Sequence, residues 1–195
     1  MIYDFEGNTP KMDPNSWAAP NAVLIGRVEL KSTDNKILSL NDIKGENGTL
    51  IMFICNHCPY VKAIIKDLVE DCKDLRNEGI NSVAIMSNDT KNYPDDSFDK
   101  MMEFSKHNQF GDLEYLIDET QEVAKKYGAV CTPDFFGYNK NLELQYRGRI
   151  KELKNLKPVR NGDSDLKLAM TMIAKTQKGP VEQIPSMGCN IKWFN

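Results

Sequence analysis

The chain has 195 residues, of which 41% are hydrophobic and 27% charged, and its formal net charge is −3 at pH 7. This composition is typical of a globular protein with one domain that buries a core without cross-links. The small negative charge and the lack of a long basic cluster argue against nucleic acid or a membrane surface as a partner. No segment has the length and apolar character of a membrane span, and the N-terminus shows no signal pattern, so we expect a cytoplasmic location.

The first predicted elements form a β-hairpin and a buried strand. Residues 22–25 and 27–30 have the pattern of strands. A turn at residues 34–36 precedes a returning strand at 36–40, which completes the hairpin. Residues 49–54 form an unbroken apolar run, which is typical of a buried parallel strand.

Helices and strands alternate in the rest of the chain. Apolar residues three and four apart from Val61 to Leu75 predict a helix that Gly79 ends. The next predictions are a strand at 82–86, a helix beginning at Phe98 and a strand at 113–117. A short helix follows, capped by Asp118, with Gln121 at the capping-box position and Gly128 at its end. The last predictions are a hairpin at 135–138 and 142–146 and a helix after Asp163 or Ser164. This order predicts an α/β protein with a mixed central sheet and helices on both faces.

Two of the five cysteines form the motif Cys55-Asn56-His57-Cys58, directly after the predicted buried strand. At a strand–helix junction, unpaired N–H groups and the helix dipole stabilise a thiolate, so we expect the pKa of Cys55 to lie below its free value. Cys58 would then be the resolving thiol. His57, when protonated, would add positive charge beside Cys55, and Pro59 fits the first helical turn.

Two other interpretations of the cysteine pair remain open. A C-x-x-C motif can be half of a zinc site, but the sequence has no second one, and His57 lies inside the motif rather than at ligand spacing. The pair can also be two buried thiols without a redox role. Five cysteines are too few for a disulfide-stapled module, so the strand–CxxC–helix context favours redox chemistry.

The motif resembles those of the thioredoxin superfamily, and in particular its peroxiredoxin-like, alkyl hydroperoxide reductase-related branch. The resemblance covers residues 21–195 and includes Ser87-Asn88-Asp89, Cys131-Thr132-Pro133-Asp134, Tyr146-Arg147-Gly148 and the closing Pro185–Trp193. It implies a thioredoxin-like domain at 21–178, with an irregular extension at 1–20 and a packed tail at 179–195.

The resemblance also implies roles for particular residues. Pro133 is expected to follow a cis peptide bond and to face the cysteine pair, and Asn56, Thr132 and Pro133 are expected to bind substrate. Cys131, two residues before Pro133, is expected near the pair, and it could accept a disulfide from the pair or form one with Cys189 in the tail. The residue type favours the other interpretation of Cys131, a small buried residue that fills space, since free cysteines are often of that kind.

The sequence departs from its relatives at the strand before the motif. Ile54 stands where thioredoxins usually carry Trp, and residues 49–54 contain none of the acids that thioredoxins bury there. Met52 stands where peroxiredoxins carry the Thr of their P-x-x-x-T-x-x-C motif.

These observations predict a thiol–disulfide oxidoreductase that reduces or isomerises disulfides through Cys55 and Cys58, with no cofactor and no metal. Its expected partners are protein disulfides and a thiol electron donor. A thiol peroxidase using Cys55 and a redox-silent binding or metal-carrying module are the alternatives. The sequence leaves open whether the chain is a monomer or a homodimer.

Overall fold

A computed structural model describes residues 2–3, 24–25 and 29–194 of the chain. Its strands are β1 (Ile2–Tyr3), β2 (Leu24–Ile25), β3 (Glu29–Ser32), β4 (Ile37–Ser39), β5 (Gly48–Phe53), β6 (Ile80–Met86), β7 (Glu114–Ile117), β8 (Cys131–Thr132), β9 (Asp134–Asn139), β10 (Leu144–Tyr146), β11 (Leu153–Lys154), β12 (Lys157–Pro158) and β13 (Cys189–Asn190). Its helices are α1 (Leu40–Ile43), α2 (Pro59–Asn77), α3 (Phe98–His107), α4 (Glu122–Tyr127) and α5 (Asp165–Thr176), with a 3₁₀ turn at Pro94–Asp96.

A seven-stranded sheet in the order β10-β9-β5-β6-β7-β3-β4 forms the centre of the molecule. β5, β6 and β7 run parallel, whereas β9 pairs antiparallel with β5 and β3 pairs antiparallel with β7. The carboxyl ends of the three parallel strands therefore meet at one edge of the sheet. This edge holds the cysteine motif after β5 and the Ser87-Asn88-Asp89 run after β6.

Each face of the sheet has its own apolar core. On β5, Leu50 and Met52 point into a core shared with α2, α3 and α5. Ile51 and Phe53 point to the opposite face, which α1 and α4 cover. This alternation follows from the two-residue period of a strand that is buried on both sides. The mixed sheet with helices on both faces confirms the predicted fold class.

The hairpins at β3–β4 and β9–β10 and the long helix α2 agree with the sequence predictions. Two local predictions were wrong. Leu40 begins the short helix α1 instead of ending a strand, because the Asp42 carboxylate accepts a hydrogen bond from the Ser39 backbone N–H. The residue that caps α4 is Gln121 rather than Asp118, although the Asp118 carboxylate still accepts the N–H of Ala124.

The predicted extension at 1–20 lies almost entirely outside the described residues. The proposed limits of the domain and of the tail remain predictions. In the part of the chain that the structure describes, no helix combines the length and the apolar character that crossing a bilayer requires.

Candidate active site

The cysteine motif occupies the loop between β5 and α2. Helix α2 begins at Pro59, and Cys58 is its N-cap residue. Cys55 therefore lies before the helix, three residues ahead of its N-cap residue. The helix N-terminus consequently acts on Cys58 more directly than on Cys55.

A buried carboxylate, Asp96, fixes this loop from the 3₁₀ turn. Its Oδ1 accepts the backbone N–H of Asn56 at 2.8 Å and that of His57 at 3.4 Å. Its Oδ2 lies 2.7 Å from His57 Nδ1 and accepts Asn88 Nδ2 at 2.8 Å. Because a carboxylate accepts without donating, Asp96 can satisfy all these donors at once.

Asn56 is held inside the protein by both ends of its amide. Its Nδ2 donates to the carbonyl of Asp95 at 3.0 Å, and its Oδ1 accepts the hydroxyl of buried Tyr115 at 3.0 Å. Asn56 is itself buried. Its side chain thus positions the loop, and the expectation that Asn56 binds substrate stays a prediction.

The loop that contains Thr132 and Pro133 lies against both thiols. The Thr132–Pro133 peptide bond is cis, as the resemblance implied. The Thr132 hydroxyl lies 3.3 Å from Cys55 Sγ, and the Thr132 carbonyl accepts the Cys58 thiol at 3.1 Å. One residue thus contacts both members of the pair.

The two thiols both contact Thr132, and each influences the ionisation of the other, so they ionise as one unit. The pKa of Cys58 is held well below its ordinary value, first by the hydrogen bond from Cys55 and then by the N–H of Val61 and the thiol of Cys189. The hydrogen bond to Cys58, burial and the charge of Asp96 raise the pKa of Cys55.

This direction differs from the sequence expectation, which placed the lowered pKa on Cys55. Burial and the Thr132 carbonyl favour the protonated form of Cys58, but the donors around it outweigh them. His57 Nδ1 lies 4.0 Å from Cys55 Sγ, but it is paired with Asp96, whose charge opposes its effect. Attack by Cys55 and resolution by Cys58 remain predictions about roles.

The C-terminal tail completes the site from the other side. β13 pairs antiparallel with β8, so that Cys189 lies opposite Thr132 and Asn190 opposite Cys131. The side chain of Cys189 packs against the apolar core that contains both thiols, and its thiol helps to lower the pKa of Cys58. The thiol of Cys131 instead donates to the carbonyl of Pro133 at 3.4 Å. The edge expected to bind substrate polypeptide is therefore occupied by the protein's own tail.

Pro133 also lines a cavity of about 180 Å³ beside the thiol cluster. Tyr60 and Ile64 of α2 form one wall, and the tail segment from Ile184 to Met187 forms another. Met187 is 66% exposed at its rim. The cavity gives an apolar side chain a place next to the loop.

Cys55, His57 and Asp96 each offer one ligand atom, and these atoms lie within 4.8 Å of one another. Both oxygens of Asp96 already accept N–H donors from the protein, however, and one of these donors is His57 Nδ1. The cluster is therefore satisfied internally, and the absence of a metal remains a prediction.

Sequence reasoning missed Asp96 and Tyr115, and it gave Gln121 only a capping role. Gln121 donates to the carbonyls of Ser87 and Lys192 and accepts the N–H of Phe194, so it fastens the tail. Asn88 also holds the tail, because its Oδ1 accepts the N–H of Lys192 at 2.9 Å. The one available signal was the polar run after a buried strand, at the edge where ligand sites of parallel sheets lie.

Comparison with solved structures finds two close matches of undefined function. An uncharacterized conserved protein from Geobacillus kaustophilus is 37% identical over 86% of this chain and 89% of that chain, with a TM-score of 0.81. A hypothetical protein from Sinorhizobium meliloti is 33% identical over 92% of this chain and 97% of that chain, with a TM-score of 0.80.

More distant matches carry functional descriptions. The exposed lipoprotein thioredoxin of Streptococcus pneumoniae is 19% identical over 77% of this chain and 98% of that chain, with a TM-score of 0.56. A secreted disulfide oxidoreductase of Mycobacterium tuberculosis is 14% identical over 60% of this chain and 80% of that chain, with a TM-score of 0.51. At these identities the likeness shows the thioredoxin-like fold alone.

No curated protein matches the chain significantly. The AhpC/TSA family matches residues 23–153, which is most of the sheet and the whole cysteine motif. The match and the geometry agree with the peroxiredoxin-like resemblance and support an oxidoreductase in general. The chain belongs to the AhpC/TSA family.

Proposed function

We propose that the protein is a thiol–disulfide oxidoreductase whose Cys55 and Cys58 cycle between a dithiol and a disulfide. The observation that carries this proposal is the contact of one residue of the cis loop with both thiols: the Thr132 hydroxyl lies 3.3 Å from Cys55 Sγ, and the Thr132 carbonyl accepts the Cys58 thiol at 3.1 Å. Two thiols held against the same residue need little movement to form a bond with each other. The lowered pKa of Cys58 supplies the thiolate that disulfide exchange requires.

The reaction conserves atoms and electrons through two exchanges. One sulfur of the pair attacks a protein disulfide, forms a mixed disulfide and releases the first substrate thiolate. The second sulfur attacks the first, forms the Cys55–Cys58 bond and releases the second substrate thiol. The substrate gains two electrons, the pair loses them, and the two thiol protons pass to the products.

The proposed partners are protein disulfides and a thiol electron donor, which reduces the Cys55–Cys58 bond after each turnover. Pro133, Thr132 and the adjacent cavity are proposed to receive the substrate when the tail does not cover them. The cytoplasmic location stays a prediction. A cytoplasmic location would supply the small reducing thiols that return the Cys55–Cys58 disulfide to the dithiol form.

Peroxide reduction is the main alternative within this family. Met52, fully buried in β5, occupies the position of the peroxiredoxin Thr. A thioether cannot donate a hydrogen bond to a peroxide oxygen, as a hydroxyl can. The site therefore favours disulfide exchange.

Insulin reduction by dithiothreitol, with and without the protein, tests the proposal. The wild type should accelerate the reaction, and Cys55→Ser and Cys58→Ser should each remove the acceleration, because both sulfurs are needed. Cys72→Ala, which removes a thiol from the core of α2, serves as the control and should retain it.

A parallel assay with hydrogen peroxide completes the test. We expect negligible peroxide turnover. Peroxide turnover that survives in Cys58→Ser but not in Cys55→Ser would replace the proposal with a peroxidase. Identical behaviour of wild type and both variants in both assays would indicate a redox-silent module.

A further inference from the structure

The cysteine pair is sealed from solvent in the described structure. Cys55 is 1% exposed and Cys58 is 0% exposed. The ribbon of β8 and β13 covers them on the side of Thr132. Reaction with any external thiol or disulfide therefore needs either movement of the tail or a thiol that connects the pair to the surface.

Cys189 is the cysteine in a position to make this connection. It alone among the five cysteines is partly exposed, whereas the other four are buried. In the β8–β13 ribbon it lies opposite Thr132, which contacts both thiols of the pair, and it packs against the apolar core that contains them. The thiol of Cys131 is instead directed to the Pro133 carbonyl. Cys189 thus lies between the buried pair and solvent.

The tail is fastened on both sides of Cys189. The Lys192 carbonyl accepts the N–H of Asp89 and Gln121 Nε2, each at 2.8 Å. Before Cys189, the Ser186 hydroxyl donates to the carbonyl of Gly148 at 2.9 Å. Gly188 lets the backbones meet, because a Cβ there would collide with the Thr132 carbonyl oxygen. Cys189 is therefore held beside Cys58 rather than reaching it by chance.

We infer that Cys189 is a third redox thiol, which exchanges with Cys58 and carries the disulfide from the buried pair to the protein surface. This inference rests on the proposed dithiol chemistry of Cys55 and Cys58 and adds the route by which a thiol donor reaches them. It assigns the relay to Cys189 and leaves Cys131 as a buried neighbour.

The relay is an isomerisation followed by an external exchange. The Cys189 thiolate attacks Cys58 Sγ, so that the Cys58–Cys189 bond forms, the Cys55–Cys58 bond breaks, and Cys55 takes the proton that Cys189 gave up. A donor thiol then attacks Cys189 Sγ and releases Cys58 as a thiolate. A second donor thiol frees Cys189 and departs as the donor disulfide, so two thiols are oxidised for one disulfide reduced.

Trapping in a Cys55→Ser background tests the inference directly. The reduced variant is oxidised with glutathione disulfide, alkylated and digested without reductant for mass spectrometry. We expect a peptide pair joined by a Cys58–Cys189 disulfide. Adding Cys131→Ala should leave this pair intact, whereas adding Cys189→Ser should remove it and leave Cys58 as a free thiol. A glutathione adduct on Cys58 with Cys189 free, or a Cys58–Cys131 bridge, would overturn the relay.

Kinetics in the otherwise intact chain give a second readout. In Cys189→Ser, the Cys55–Cys58 bridge should still form, but its reduction by glutathione should be slower than in the wild type and in Cys131→Ala. An unchanged or faster reduction would show that the tail is only a cover. Failure of the wild type to form the Cys55–Cys58 bridge would overturn the proposed function instead, so the two failures are distinguishable.

Discussion

The two sides of the thiol cluster are held by different kinds of contact. On one side, the loop from Cys55 to Cys58 is held by the buried carboxylate of Asp96. This carboxylate also accepts a hydrogen bond from Asn88. On the other side, Cys189 sits in a ribbon of two residues per strand, fastened mainly through backbone groups. The loop is thus held by a buried side chain, whereas Cys189 is held through the β8–β13 pairing next to it.

Asn88 joins these two sides. Its Nδ2 donates to Asp96, and its Oδ1 accepts the N–H of Lys192 in the tail. The fold thus fixes the position of the Cys55–Cys58 pair, while the tail lies between the pair and external thiols. Substitutions on each side should therefore have separable effects.

Asp96→Asn should have the largest effect on stability, because one amide oxygen cannot accept all the donors that the carboxylate satisfies. We expect a loss of about 3 kcal/mol in the free energy of unfolding, as for the breaking of a buried ion pair. Urea denaturation measures it, with Asp95→Asn as the control, since Asp95 is exposed. Equal stability of the two variants would show that Asp96 does not hold the loop.

Gly188→Ala should act on the tail side. The added methyl group would collide with the Thr132 carbonyl oxygen, and overpacking of this kind costs about 2 kcal/mol. Because the collision would push the tail away from Thr132, we expect faster alkylation of Cys58, while the central sheet stays intact. Timed labelling with iodoacetamide and circular dichroism check this, with the exposed neighbour Met187→Ala as the control. Unchanged labelling would mean that the tail does not limit access.

His57→Ala should change the redox balance without unfolding the protein. Its loss leaves the charge of Asp96 facing the thiols without the His57 partner, so the thiolate is less stable and the disulfide less oxidising. We expect the reduction potential to become more negative by about 30 mV, which is about 1.4 kcal/mol for two electrons. His107→Ala, at an exposed histidine in α3, is the control. A potential that rises or stays constant would refute the electrostatic role of His57.

The pH dependence of the potential should show the charge that the pair carries. With the pKa of Cys58 depressed, the reduced pair binds one proton instead of two between that pKa and the ordinary thiol value. The potential should then fall by about 30 mV per pH unit near neutrality. A fall of about 59 mV per unit would mean that both thiols are protonated.

The sequence predicted the sheet, the hairpins and the cysteine pair because each has a local pattern of alternation, turn residues or fixed spacing. It missed Asp96 because the partners of this acid come from distant segments, and its neighbour Asp95 is an ordinary exposed acid. Thioredoxins bury an acid on the strand that corresponds to β5, and residues 49–54 contain none. No pattern in the sequence indicates that the buried acid lies instead on the 3₁₀ turn. The β8–β13 ribbon has two residues per strand, too few to show a periodicity.

The central claim, that Cys55 and Cys58 form a reversible dithiol–disulfide couple, is tested most directly by an equilibrium redox titration. The protein is poised against mixtures of reduced and oxidised glutathione, quenched by acid and alkylation, and the peptide that carries both cysteines is quantified by mass spectrometry. The account predicts a single reversible two-electron transition between the doubly alkylated and the bridged peptide. A peptide that never becomes bridged at any poise, with Cys55 and Cys58 alkylated independently, would contradict it.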